Sequence, residues 1–229
     1  MFEILDQETL GIIATTMRMT ITSTAISAIL GIPFGLFLES VRPTHWLPRF
    51  LKWLTVSINR TLMGTPPVVA GLVVFLLFMR NGPFGALRLL YTFEIMVIAQ
   101  VLLVTPIISG IVYTAATRHG DRIRAFARTM GASRLQTRLL LLKELGNEIF
   151  FATITGFGRA MSEVGAIVMV GGNIRHHTRV MTGTIMLDVN RGFRDQAIQL
   201  GIILMLIAFT VQIIADILRR RERRLDENF

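Results

Sequence analysis

Cysteine is absent from this 229-residue chain, which excludes disulfide frameworks, thiolate metal sites and cysteine nucleophiles. Acidic residues are scarce, 15 against 24 basic ones, leaving a net charge of +9. No internal repeat and no low-complexity linker interrupts the sequence, so a single domain over residues 1–229 is expected. No phosphate loop of the Gly-x4-Gly-Lys-Ser/Thr type is present, and neither Gly-x-Ser-x-Gly nor His-Glu-x-x-His occurs, so nucleotide hydrolysis, serine hydrolase and zinc protease chemistry lack their residues. Met1 to Leu10 contains Glu3, Asp6 and Glu8 but no Lys or Arg. A cleaved signal needs a basic start, and none is expected.

What the chain has is apolar length. Hydrophobic residues make up 52% of it and the mean hydropathy is +0.57. They lie in long blocks rather than short periodic stripes. A helix needs about 20 apolar residues to cross a bilayer core, and five stretches approach or exceed that: about 10–38, 54–79, 93–113, 148–170 and 197–218. The expected fold is an all-α, polytopic membrane helix bundle. None of the four histidines falls in these stretches, so the spans hold no histidine base for intramembrane proteolysis.

Basic residues distribute unevenly between the connecting segments. Fifteen lie in residues 40–53, 114–147 and the tail, including Arg42, Arg118, Arg122, Lys143 and Arg219 to Arg224. Six lie on the alternate side: Arg80, Arg88, Arg175, Arg179, Arg191 and Arg194. Cytoplasmic loops carry the excess of Lys and Arg, so the N-terminus is expected outside and the C-terminus inside. An odd number of spans agrees with that orientation.

The second stretch is interrupted by Gly64-Thr65-Pro66-Pro67. Two prolines remove two backbone donors and bend a helix, and polar backbone freed in hydrocarbon must face protein or a water-filled cavity. Pro66 and Pro67 are therefore candidates to line a path, though a simple kink would look the same. Between the third and fourth stretches, about 121–142, Ile123, Phe126, Ala127 and Met130 repeat at helical spacing. Gly131 breaks the pattern, and Leu135, Leu139 and Leu142 resume it. Such a basic amphipathic segment can meet lipid headgroups, another protein or nucleic acid. Ala127 and Gly131 imitate a helix-turn-helix core, but a duplex would have to approach an anionic bilayer, and no nucleic-acid partner is expected.

The same segment carries a family resemblance. Ala125-Phe126-Ala127-Arg128-Thr129-Met130-Gly131-Ala132-Ser133, with Leu141 ten residues after the glycine, resembles the signature loop of ABC importer permeases. It keeps Ala127 and Gly131 and has Ala125 where that family usually has glutamate. Gly156 to Ala166, running into Met169-Val170-Gly171-Gly172-Asn173-Ile174, resembles the fourth helix of molybdate/tungstate-type permeases. Leu62 to Gly71, Arg80-Asn81-Gly82-Pro83-Phe84-Gly85 and the Arg175-x-x-Thr178-Arg179-Val180 stretch are more similar to the tungstate branch. The resemblance implies a permease subunit that is not itself an enzyme. It implies no cofactor in this chain, with ATP and Mg²⁺ on a partner ATP-binding subunit. Docking to that subunit would run through Arg124, Phe126, Ala127, Arg128, Gly131, Ala132, Ser133 and Leu135. An external binding protein, periplasmic or a lipoprotein, would deliver an oxyanion: tungstate first, with molybdate or sulfate as alternatives. Five helices of one copy cannot easily enclose a path, so a homodimer is expected.

Arg159 and Glu163 stand four apart and share a helix face. Charges within a span face a bundle interior or a cavity, so they form either a structural ion pair or, with Ser162, part of the path or its gate. Gly171, Gly172 and Asn173 are ordinary helix C-cap chemistry; the resemblance adds an external gate there. Arg175, His176, His177 and Arg179 form a basic outer patch that could steer an arriving dianion or contact an acidic binding protein, or meet headgroups. Adjacent histidines do not face one site on a helix, so no metal is expected. Two rivals stay open. A stand-alone secondary transporter would show inverted repeats, and a membrane scaffold would tolerate scrambling of 125–142 at constant charge.

Overall fold

The computed structural model describes residues 7–41 and 45–226, with side chains through Ile217. Arg42, the acidic residues Glu3 and Asp6, and the side chains of Arg219 to Arg224 lie outside that range. Regular structure among the described residues is helical. The helices are α1 (Gln7–Ser40), α2 (Trp46–Met63), α3 (Pro67–Phe78), α4 (Phe93–Thr129), α5 (Arg134–Glu144), α6 (Gly146–Ser162), α7 (Gly165–Gly171), α8 (Met181–Arg191) and α9 (Arg194–Asp226). A 3-10 turn, Gly85–Leu87, precedes α4. Three helices are long and apolar enough to cross a membrane alone, α1, α4 and α9 through Ile217, and a fourth if the bent pair α2–α3 counts as one span.

Four features differ from the sequence expectation. Pro66 and Pro67 do not kink one helix; they separate two. Pro66 is the extended N-cap of α3 and Pro67 its first helical residue, where a missing N–H leaves nothing unsatisfied. The 148–170 stretch is also split, at Glu163-Val164, into α6 and the seven-residue α7. The first amphipathic helix of the 121–142 segment is no separate element, because α4 runs unbroken to Thr129, and only α5 stands apart. Finally, α8 occupies 181–191, within a segment read as a loop. Its apolar residues cover barely two turns, too few for a span signal.

The chain forms two compact units. One holds residues 1–23, 66–101 and 157–229, and the other 24–65 and 102–156; α1, α4 and α6 contribute to both. The first unit has its core around Met19, Val74, Ile95, Met96, Ile167, Val170 and Val180. Here α3 crosses α7 at Gly71, where a Cβ would stand 2.6 Å from the Ala166 Cα. Small residues let backbones approach in place of a hydrophobic drive that lipid does not supply. Ile12, Met181 and Leu200 form a further cluster, with Ile203 and Ile207 of α9 packed on it.

In the second unit, Gly31 and Gly35 lie on one face of α1 against α4. A Cβ on Gly31 would meet the Thr105 carbonyl oxygen at 3.1 Å, and one on Gly35 the Ser109 carbonyl oxygen at 2.6 Å. Buried Asn59 of α2 joins this crossing: its Nδ2 donates to the Pro106 carbonyl oxygen at 3.2 Å and its Oδ1 accepts from Ser109 Oγ at 2.9 Å. Ala115, Ala116, Leu141 and Leu145 close a core where α5 folds back onto α4.

Candidate functional site

Chain direction reverses at Gly131. Its φ of +68° is a left-handed conformation that glycine adopts without penalty, and the Ala132 N–H bonds back to the Ala127 carbonyl at 2.9 Å. Ser133 then opens α5 with a capping box: its hydroxyl accepts from the Gln136 N–H at 3.3 Å while Gln136 Oε1 accepts from the Ser133 N–H at 2.8 Å. Two orphan donors are thereby satisfied. Ala127 is buried under the turn and Ala132 half-buried.

Around this turn stands an uncovered apolar surface. Phe126 is 59% exposed, Met130 71%, Leu135 66% and Leu139 56%. Residues four apart share a helix face, so Phe126 pairs with Met130 on α4, and Leu135 with Leu139 on α5. Arg124 and Arg128 occupy a different face of α4. Arg124 is ion-paired with buried Glu39 at the end of α1, and a Cβ on Gly120 would stand 2.8 Å from its guanidinium. Of the eight residues singled out here, Phe126 and Leu135 are open apolar surface, Arg128 and Ser133 are exposed polar groups, Ala127, Gly131 and Ala132 build the turn, and Arg124 is tied to Glu39.

In the first unit, Arg159 and Glu163 do form an ion pair, with Glu163 only 3% exposed and Arg159 35%. The pair sits where α6 ends. Gln100 of α4, wholly buried, satisfies that end: its Nε2 donates to the Ala160 carbonyl at 2.7 Å and its Oε1 accepts from Ser23 Oγ at 2.5 Å. Thr182 Oγ1 donates to the Glu163 carbonyl at 3.0 Å, so the broken helix has partners for the carbonyls its end leaves free. Ser162 is exposed and donates to the Arg159 carbonyl at 2.9 Å. If the ion pair holds buried charge, Arg159→Ala should destabilise more than Arg159→Ala with Glu163→Ala. A coupling on the order of 1–3 kcal/mol is expected between such neighbours, read by thermal melts in detergent; additive losses would refute it.

Gly172, rather than Asn173, caps α7, with φ +71°. Asn173 also has positive φ, +49°, and its Nδ2 donates to the Gly183 carbonyl at 3.1 Å. Thr178 Oγ1 donates to the Gly171 carbonyl at 2.5 Å and accepts from the Ile174 N–H at 3.0 Å. The Gly171-Gly172-Asn173 turn is thus tied to α8 as well as ending a helix. Arg175 and Arg179 are brought together by Glu8 of α1: Arg175 Nε lies 2.8 Å and Arg179 Nη1 3.1 Å from its Oε1. Arg175 is the more open of the two, with 61% of its side chain exposed. On α8, burial pushes the Asp188 carboxyl up, against the pull of Arg179 and Arg191.

Sequence reasoning did not single out Glu39, Asn59 or Gln100. A polar residue within an apolar run was the available signal for the last two, but nothing local says which carbonyl each will reach.

Comparison with known proteins places this geometry. The family described as binding-protein-dependent transport system inner membrane component matches residues 31–224. The tungstate uptake system permease protein TupB of Peptoclostridium acidaminophilum is 39% identical over 208 residues, 90% of this chain and 88% of that protein. A probable anion ABC transporter permease protein of Haloferax volcanii is 32% identical, covering 92% and 90% of the two chains. An inward-facing structure of the MetNI methionine ABC transporter superposes with a TM-score of 0.73 at 18% identity, over 96% of this chain and 99% of that one, a likeness of fold. With a family match over most of its length and such relatives across nine-tenths of it, this chain belongs to the binding-protein-dependent inner membrane components, the non-catalytic membrane permease subunits of ABC importers.

Proposed function

We propose that this chain forms the transmembrane path of an ATP-driven importer for an oxyanion, tungstate in the first place. The 39% identity to a tungstate uptake permease across 90% of the chain is the observation that carries the substrate. Molybdate and sulfate permeases are also similar, at 26% over 77% and 24% over 90% of the chain, and they set the alternatives. Phe126, Met130, Leu135 and Leu139 dock the ATP-binding subunit, which holds ATP and Mg²⁺. Two copies of the chain enclose the path, and an external binding protein brings the anion. The N-terminus lies outside and the C-terminus in the cytoplasm, with all five apolar stretches membrane-embedded as one domain. On this reading the broken helices α3 and α7, held at Gly71 and Ala166, sit beside the path, with Arg159, Ser162 and Glu163 at its wall and Gly171 to Asn173 at its outer gate. Arg159 then compensates Glu163, because an unpaired carboxylate would repel the cargo.

Closure of the ATP-binding subunits would pull the docking helices together and turn the bundle outward. The test is co-purification of the chain with its ATP-binding subunit, followed by ATPase assay with binding protein and tungstate, molybdate or sulfate. Stimulation by tungstate above the other two is the expected result. Preference for molybdate or sulfate would reassign the cargo. A chain that purifies without any ATPase would overturn the importer reading in favour of a secondary transporter or scaffold.

A further inference from the structure

The arginines that turn away from the docking surface line a second feature. Where α5 folds back beneath the ends of α1 and α4, a cavity of about 850 Å³ opens. Arg124 and Arg128 enter it from α4, and Arg134 and Arg138 from α5. Apolar side chains line it as well, Phe37 of α1 and Leu142 of α5 among them, 61% and 38% exposed respectively. The hydroxyl residues Ser40 and Thr137 also line it. Glu39 neutralises Arg124, and none of the described residues lining the cavity is acidic, so the guanidinium groups of Arg128, Arg134 and Arg138 stand beside apolar side chains without a carboxylate among them.

That combination is chemically selective. A soluble anion would use the guanidinium groups and leave the apolar side chains in water. An acyl chain alone would use the apolar side chains and leave the positive charge unanswered, and a zwitterionic lipid would bring a phosphate together with a cation of its own, leaving the net charge uncompensated. An amphiphile with an anionic phosphate head fills both, and guanidinium groups bind phosphate oxygens in a bidentate fork. Basic pockets between helices on the cytoplasmic side are suited to anionic lipid headgroups. The helix period explains how one short segment can serve two partners. Arg124 and Arg128 are offset from Phe126 and Met130 by two residues, about 200° around the axis, so on α4 the lipid face and the docking face point apart, while on α5 Arg134 and Arg138 flank Leu135 and Leu139 at the border between the two. We propose that this cavity is a binding site for an anionic phospholipid, held by Arg128, Arg134 and Arg138, that braces the coupling segment at the inner membrane surface. The proposal rests on the cytoplasmic placement of residues 114–147 and is independent of which anion is transported.

The experiment compares full-length chains purified with their accompanying subunits in mild detergent. They are equilibrated with equal amounts of phosphatidylglycerol and phosphatidylcholine, and bound lipid is counted by native mass spectrometry. The wild type should retain phosphatidylglycerol over phosphatidylcholine. Arg134→Gln with Arg138→Gln should reduce that preference about twenty-five-fold, on the order of fivefold per basic side chain at a membrane surface. Arg134→Lys with Arg138→Lys, which keeps the charge but not the fork, should fall between the wild type and the glutamine variant, which separates loss of charge from loss of fold. Equal retention of phosphatidylglycerol by wild type and the glutamine variant would overturn the proposal. So would full displacement by inorganic phosphate at an ionic strength where chloride displaces nothing, because the occupant would then be a free anion. Retention of the ATP-binding subunit, scored on the same samples, reports separately on the docking surface.

Discussion

Phe126→Asp is expected to release the ATP-binding subunit while leaving the membrane chain folded. Phe126 is 59% exposed, so its ring contributes little to the packing of α4, and an aspartate there meets water in the free chain. In the proposed complex the same position faces the ATP-binding subunit. Apolar and aromatic anchors at the centre of an interface each contribute on the order of 2–4 kcal/mol, and a buried unpaired carboxylate costs several kcal/mol more. The two effects together correspond to a loss of affinity of at least about a thousandfold. Met130, Leu135 and Leu139 are all more than half exposed, and the one cation four residues away on that face, Arg122, is itself exposed, where an ion pair offsets only a fraction of the loss. The measurement is pull-down of the ATP-binding subunit by tagged chain, beside size-exclusion chromatography of the chain itself. Wild-type retention with wild-type ATPase stimulation would remove this surface from the docking assignment. Scrambling residues 125–142 at constant charge is expected to have the same effect, which a membrane scaffold would tolerate.

Gly35→Leu is expected to prevent the second unit from assembling. A Cβ at Gly35 would lie 2.6 Å from the Ser109 carbonyl oxygen and 3.1 Å from the Tyr113 nitrogen. Both are main-chain atoms of α4, so no side chain can rotate aside and the two helices must separate. Overpacking of a core costs about 1–3 kcal/mol when side chains can yield, and the backbone contact puts this case at the upper end or beyond. Separation would also disturb Ser109, whose hydroxyl bonds Asn59 of α2 at 2.9 Å, and so loosen a third helix. Gly11→Leu is the matched control, since a Cβ there meets nothing within 4 Å. The expected result is a monodisperse, wild-type-like melt for Gly11→Leu and an aggregated or strongly destabilised chain for Gly35→Leu. A wild-type melting temperature for Gly35→Leu would show that α1 and α4 do not cross at this glycine.

Much of this protein is legible along the chain because hydrocarbon permits so few solutions. Backbone polar groups in a bilayer must be satisfied within their own segment, so apolar length alone reports a membrane helix and the charge of the connections proposes its orientation. The Ala127-x3-Gly131 turn was readable for a similar reason: only glycine takes its backbone angle cheaply, and the apolar residues on either side keep helical spacing. Arg159 and Glu163 could be paired from their spacing of four. What the sequence could not decide was where helices break and what answers each break. Pro66-Pro67 permits either a kink or a new N-terminus, and it is the packing of Gly71 against Ala166 that accompanies a second helix there. Nothing local ends α6 at Ser162; Gln100, 60 residues away, and Thr182, on the far side of α7, supply the bonds that make such an end tolerable. Glu39 and the arginines of the inner cavity likewise become neighbours only once α1, α4 and α5 fold together. Local rules set length, polarity and turn, whereas partnership between distant polar groups is fixed by three-dimensional packing.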